Sequence, residues 1–234
     1  MLPSQTVENY LKTIFLEQSA EGMAANALVP MGRLSAALGV VPGTATTMVK
    51  ALNESGLVRY EPYMGVRLTP AGEKLASLVL RRHRLIELFL VEVLGMNWTE
   101  VHDEAEQLEH AVSERLVERI DDMLGRPAVD PHGDPIPTAE GKVARPRYQS
   151  LASAALGVPL VVARVLDQDP AFLKFVEQRE LMPGHTIRIE ERDPESDSVI
   201  VAAASGRRIT LGLRAASKLQ VESAVAAAVD IRAR

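Results

Sequence analysis

Between His102 and His110 the chain puts titratable side chains where a helix should bury apolar ones. The run His102-Asp103-Glu104-Ala105-Glu106-Gln107-Leu108-Glu109-His110 reads as the start of one helix that continues to Leu124. At about 100° per residue, His102, Glu106, Glu109 and His110 share one arc. Further along, the same arc is occupied by Leu116, Val117, Ile120 and Leu124. Turning imidazoles and carboxylates toward a core is costly unless they are paired or hold an ion. His83 and Glu87, four apart on the preceding helix, add two more nitrogen and oxygen donors. The pattern predicts a divalent metal. The alternative is a solvated acidic face with hydrogen-bonded histidines.

The composition narrows the metal chemistry. There is no cysteine in 234 residues, so disulfides, thiolate zinc sites, iron–sulfur clusters and thiol nucleophiles are all excluded. Hard oxygen and imidazole donors without sulfur suit Mn²⁺ or Fe²⁺, although Zn²⁺ can also bind such sites. The acid is concentrated near the candidate ligands. Residues 1–80 carry six Lys/Arg and six Asp/Glu, whereas residues 81–125 carry five Arg against eleven Asp/Glu, a net of −6. The N-terminal Met-Leu-Pro-Ser-Gln-Thr lacks the basic and apolar regions of a signal peptide, and no apolar run is long enough to span a bilayer. A cytoplasmic protein with no membrane partner is expected.

Periodicity divides the chain into three parts, at 1–70, 71–148 and 149–234. In the first, Val7, Tyr10, Leu11, Ile14 and Phe15 have helix spacing, with Ser4 or Thr6 as N-cap. A short helix over 31–38 stops at Gly39, a turn covers Val40-Val41-Pro42-Gly43, and a third helix runs from Thr44 to Asn53. Two strands, 57–60 and 66–69, then flank Pro62-Tyr63-Met64-Gly65. This order is that of a winged helix-turn-helix. A long helix starts at Pro70, at the boundary of the first two parts, and ends near Val93, and the donor-rich helix follows. Residues 126–148 hold five prolines and read as an ordered loop or linker. The third part is β-rich, with strands at 160–166, 186–191, 199–204 and 207–211 and a helix over 171–179. Short strands with little between them suggest a small barrel. The fold class is mainly α with β.

A helix-turn-helix places its second helix in the major groove. Thr44, Thr46 and Thr47 near that helix's start can meet phosphates, thymine methyls or base edges. Lys50 is placed for a phosphate, Arg33 on the preceding helix can reach the backbone, and the wing carries Arg59 and Arg67. The recognition helix has no Arg or Gln, so readout through Thr hydroxyls, methyls and DNA shape is expected. The alternative use of such a module is protein contact. A metallohydrolase is the competing enzyme reading, but there is no His-Glu-x-x-His, and Glu106-x-x-Glu109-His110 has Glu where the inverted motif has its first histidine. No Gly-x-Ser-x-Gly, P-loop or dinucleotide fingerprint appears. His132 and His185, beside Gly or Pro, are read as surface loop residues.

Together these segments resemble the diphtheria-toxin-repressor family of metal-dependent transcriptional regulators over nearly the whole chain. The resemblance rests on Glu8-Asn9-Tyr10-Leu11-Lys12-Thr13-Ile14, Arg82-His83-Arg84-Leu85-Ile86-Glu87, Val101 through Glu106, Glu109-His110, Gly133-Asp134-Pro135-Ile136-Pro137 and Leu181-Met182-Pro183-Gly184. It implies a non-enzymatic, homodimeric, metal-activated repressor of iron or manganese homeostasis genes that binds double-stranded operator DNA. Its middle part would carry metal and the dimer contact, and its last part would be an SH3-like domain. Glu109 and His110 match primary-site ligands. Glu106 stands where manganese-responsive members have glutamate and iron-responsive members cysteine. Asn9 stands where they have aspartate or methionine. Lys12 takes the place of a carboxylate needed for a two-ion manganese site, which argues against a closely spaced binuclear centre. His83, Glu87 and His102 match a second site of the iron-type members, to which Asp167 or Gln168 would contribute from the last domain. The resulting expectation is a Mn²⁺-activated repressor, with Fe²⁺ as the alternative.

Overall fold

The computed structural model describes residues 4–19 and 27–224. Its contacts group into two units, each described separately. The first holds residues 1–83, 108–117 and 136–144, and the second holds 84–107, 118–135 and 145–234.

The first unit begins with α1 (Gln5–Ser19), which buries Tyr10, Leu11, Ile14 and Phe15 at helix spacing. Ser4 caps it, accepting from the Val7 amide through its Oγ at 3.4 Å. α2 (Met31–Ala37) ends at a turn containing Gly39, whose φ of +63° suits glycine. α3 (Pro42–Glu54) starts two residues earlier than the sequence pattern indicates. Pro42 forms its first turn, where a missing N–H costs nothing. β1 (Val58–Glu61) and β2 (Gly65–Leu68) pair antiparallel, Arg59 opposite Arg67. Val29 bridges to Val66 and anchors this wing on the helices. Gly65 makes that possible, because a Cβ there would lie 2.4 Å from the Val29 carbonyl oxygen. Leu11, Ile14, Leu34, Val49, Leu52, Val58 and Val66 form one core with Ala76 and Leu80. The last two come from α4 (Pro70–Glu92). The order helix, helix, turn, helix, hairpin is the expected winged helix.

The donor-rich helix departs from expectation. It is two helices, α5 (Val101–Leu108) and α6 (Glu114–Met123), separated by a turn. The reason is Ser113. Its carbonyl and its Oγ both accept from the Leu116 amide, at 2.9 and 3.3 Å, so it caps a new helix. The single arc is therefore broken: Val117 and Ile120 are buried, but Leu116 is half exposed.

In the second unit, β3 (Gln149–Ser150), β4 (Pro159–Val165), β5 (Thr186–Asp193), β6 (Ser198–Ala203), β7 (Arg208–Gly212) and β8 (Leu219–Ser223) form one antiparallel sheet, ordered β3-β8-β4-β5-β6-β7. α7 (Pro170–Glu177) and the one-turn α8 (Leu213–Ala216) lie in its connections. Alternating Leu160/Val162, Ile187/Ile189, Val199/Val201 and Ile209/Leu211 fill the core, to which Trp98 also belongs. Two strands, β3 and β8, went unread in the sequence. β3 has only two residues, and β8 buries Gln220 between Leu219 and Val221, which breaks apolar alternation.

Candidate metal centre

In the second unit, buried Glu87, Asp130 and His132 each offer one donor atom, all within 4.8 Å of one another. α4 supplies Glu87. The other two come from the Asp130-Pro131-His132-Gly133-Asp134 loop, closed by the Val129–Pro135 bridge. Asp130 Oδ1 builds the loop by accepting from the His132 and Asp134 amides at 2.8 and 3.0 Å. Gly133 has φ +85°, and a Cβ there would lie 2.0 Å from the Ala163 carbonyl oxygen, so the loop sits flush on β4. The Val165 amide donates to the His132 carbonyl at 2.9 Å. Arg84 reaches Asp130 and Asp134, each at 3.5 Å, and Gln168 donates to Asp134 at 2.9 Å. Arg164 also pairs with Asp134.

His132 is not a surface residue, as the sequence suggested. Its exposure is 0%. Its Nε2 is 3.0 Å from the Trp98 carbonyl oxygen, which can only accept, so Nε2 carries the proton. Nδ1 is left with a lone pair, no hydrogen-bond partner, and Glu87 Oε2 at 3.9 Å. Asp130 Oδ2 likewise lacks a hydrogen-bond partner. Burial, and then the neighbouring Asp134 and Glu87 carboxylates, push the Asp130 carboxyl well above the usual range. Two orphaned donors and a crowded carboxylate set fit a divalent cation, which would bond the lone pairs and offset the repulsion. His102 lies with its Nδ1 3.2 Å from Glu87 Oε1, on the other oxygen of that carboxylate. Asp167 pairs with Lys218, and its Oδ1 accepts from the Asp169 amide at 3.0 Å.

The first unit holds a second polar cluster. Glu109 Oε1 accepts from Lys12 at 2.8 Å, and its Oε2 lies 2.7 Å from His83 Nδ1. Glu8 pairs with Arg82 at 2.9 Å and with His110 Nδ1 at 2.7 Å. Burial alone would raise the Glu109 carboxyl, but the His83 hydrogen bond and the Lys12 charge outweigh it and hold it below the usual value. Asn9 Oδ1 and His110 Nε2 are buried without hydrogen-bond partners. An amide oxygen and an imidazole nitrogen left in this condition also suit a cation. His83 is thus joined to Glu109, which the sequence reading assigned to a different site. Glu106 is half-buried on α5, in the second unit.

On α3, Ala45, Val49 and Leu52 face the core, while Thr44, Thr47 and Lys50 are exposed and Thr46 is half-buried. Thr46 and Thr47 donate their hydroxyls back to the Pro42 and Gly43 carbonyls, at 2.8 and 3.0 Å. Their protons are thereby spent, leaving oxygen lone pairs and methyls for readout. Arg33 pairs with Glu17, and Arg67 lies 3.6 Å from Glu61.

Comparison with known proteins places these features. Residues 3–66 match the iron dependent repressor N-terminal DNA binding domain, and 69–138 match the iron dependent repressor metal binding and dimerisation domain. Residues 149–223 match the FeoA domain. The HTH-type transcriptional regulator MntR of Lysinibacillus sphaericus (strain C3-41) is 32% identical over 123 residues, spanning 53% of this chain and 84% of that protein.

The chain belongs to the iron-dependent repressor family.

It is a metal-dependent transcriptional repressor with an N-terminal DNA-binding domain, a helical metal-binding and dimerisation domain and an SH3-like C-terminal domain. The iron-dependent repressor IdeR of Mycobacterium leprae (strain TN) is 29% identical over 230 residues, 93% of this chain and 96% of that protein. A solved manganese-dependent transcriptional repressor in complex with manganese has a TM-score of 0.84 and 40% identity, covering 93% of this chain and 99% of that one. In this repressor Glu87, His102, Glu109, His110, Asp130 and His132 all fall within the metal-binding match, while Asn9 and Lys12 fall within the DNA-binding match. Among the described residues no helix is long and apolar enough to cross a membrane.

The sequence reading missed Asp130 and His132 as donors. The available signal was an Asp-Pro-His-Gly-Asp-Pro turn whose alternate residues are all ligand types. What the sequence hides is that β4 buries this turn.

Proposed function

We propose that this repressor is activated by Mn²⁺ and binds operator DNA as a cytoplasmic homodimer. Residues 1–70 would read DNA, 71–148 hold metal and the dimer contact, and 149–234 modulate the response. The observation that carries the reading is the buried, sulfur-free donor set, above all His132 Nδ1 and Asp130 Oδ2, neither of which has a hydrogen-bond partner. Such oxygen-rich sites suit Mn²⁺. Fe²⁺ is the second reading, favoured by the family descriptions that name iron.

Two ion sites are assigned. Asn9, Glu109 and His110 form the primary site. Glu87, Asp130 and His132 form the second, with His102 steadying Glu87 and His83 steadying Glu109. A bound dication supplies positive charge that holds carboxylates together. The chain's own residues transmit the effect. Asn9 lies on the first helix of the winged module, so an ion held by Asn9, Glu109 and His110 would add to the Lys12–Glu109 and Glu8–His110 contacts that join that helix to the turn between α5 and α6. This favours one arrangement of the DNA-binding unit. Thr44, Thr46 and Thr47 then present lone pairs and methyls to base edges, and Lys50, Arg33 and Arg67 meet phosphates.

The test is selection of a duplex from a random pool in Mn²⁺, followed by affinity measurements in Mn²⁺, anaerobic Fe²⁺, Zn²⁺ and chelator. Tightest binding at the lowest free Mn²⁺ supports manganese. Activation at lower free Fe²⁺ than Mn²⁺ supports iron, and equal affinity in chelator rejects both.

A further inference from the structure

Lys12 carries a positive charge into the interior of the first unit and delivers it to Glu109. The side chains are 7% and 0% exposed, and Nζ and Oε1 are 2.8 Å apart. Charge is already balanced in this cluster without any metal. Arg82 answers Glu8 at 2.9 Å as Lys12 answers Glu109, so each buried carboxylate has a fixed cation. The two cations are not equally fixed. Arg82 donates both to Glu8 and, at 3.2 Å, to the Glu109 carbonyl, and its planar fork is held at two points. Lys12 ends in a compact ammonium on a four-carbon stem, without that planar fork. Glu8 and Lys12 are four apart on α1, one turn of the same helix.

We propose that Lys12 is a tethered cation that occupies the metal's electrostatic place at Glu109 in the ion-free chain, and that it sets metal affinity there by competing with the ion. The proposal rests on the assignment of Glu109 and His110 as ligands. A dication arriving beside an already neutralised carboxylate must displace the ammonium or sit next to it. Either way the affinity is lowered by the difference in Lys12's interaction between the two states. Removing the ammonium takes one of the two close partners of the Glu109 carboxylate, Lys12 and His83, from the ion-free chain, which raises that state's free energy and is relieved when metal binds. A lysine with a purely structural role predicts something different, namely lost stability with no gain in affinity.

The experiment uses the full chain carrying His132→Ala, which silences the second cluster, and titrates it calorimetrically with Mn²⁺ alone. Lys12→Met and the milder Lys12→Gln should bind Mn²⁺ at least about tenfold more tightly than the Lys12 parent. Both should melt at lower temperature in chelator and gain more from saturating Mn²⁺. Lys12→Arg, which keeps the charge, should stay near the parent. His110→Ala should remove the binding in every background. If His110→Ala removes binding but Lys12→Gln binds no tighter than the parent, the competition is overturned while the site stands. If His110→Ala leaves the titration unchanged, the ligand assignment fails and the competition falls with it.

Discussion

His132 holds the Trp98 carbonyl oxygen at 3.0 Å through Nε2, and this bond aims Nδ1 at the Glu87 carboxylate. The ring is fixed in one tautomer by a partner that cannot donate, the arrangement by which a ligating imidazole is set in advance. Trp98 belongs to the apolar core of the β-sheet, so the direction of the Nδ1 lone pair is fixed by a hydrophobic anchor.

His132→Ala should therefore reduce Mn²⁺ stoichiometry by one ion per chain and leave the Glu109–His110 site intact. Elemental analysis after dialysis at a fixed free Mn²⁺ reads this directly. An unchanged ion count would remove His132 from the ligand set.

The Asp130 carboxyl is raised by burial and by the Asp134 and Glu87 charges, so the ion-free fold keeps its proton to higher pH than an ordinary carboxyl does. The unfolded chain gives up that proton near a pKa of about 3.9. The group's contribution to stability is therefore complete below that value and is lost as pH rises through the higher folded pKa. In chelator, Asp130→Asn should make melting temperature less sensitive to rising pH, since the amide oxygen still accepts from the His132 and Asp134 amides. Mn²⁺ must displace the proton, so binding should tighten with pH. Calorimetry in two buffers of different ionisation enthalpy should show proton release that Asp130→Asn abolishes. The same buffer-independent heat in parent and variant would contradict this.

Glu106→Cys should move the metal preference toward softer ions. It exchanges oxygen for sulfur at the position where the family resemblance has a metal-selecting donor. The ratio of Mn²⁺ to Co²⁺ affinity should fall. A ratio at the parent value would show that Glu106 does not bond the ion.

The winged helix was legible because its evidence is local. Apolar spacing in α1, Pro42 at a helix start and a Pro-Tyr-Met-Gly turn each act within a few residues. Ser113 was an equally local signal, but the apolar run Val117–Ile120–Leu124 made one long helix look continuous across it. His132 was illegible for a different reason. Loops with Pro and Gly usually lie at the surface, and this one is buried only because Gly133 lets its backbone meet Ala163 on a strand thirty residues away. Lys12 and Arg82 could be read as charges, but their partners Glu109 and Glu8 lie 97 and 74 residues from them.

Lys50 is exposed on α3 and is assigned to a phosphate. Lys50→Ala should weaken binding to all duplexes to a similar degree and lower the slope of log affinity against log salt by about 1. Thr47→Ala should leave that slope alone and lower the preference for the selected sequence over random DNA. An unchanged slope in Lys50→Ala would remove the phosphate contact.

The proposed function couples metal binding to DNA binding. The most direct measurement is the affinity of the full chain for its selected duplex, at constant ionic strength, in saturating Mn²⁺ and in chelator. Binding should be at least about tenfold tighter with Mn²⁺, roughly 1.4 kcal/mol of coupling, and that difference should be lost in His110→Ala. Equal affinity in both conditions would contradict it.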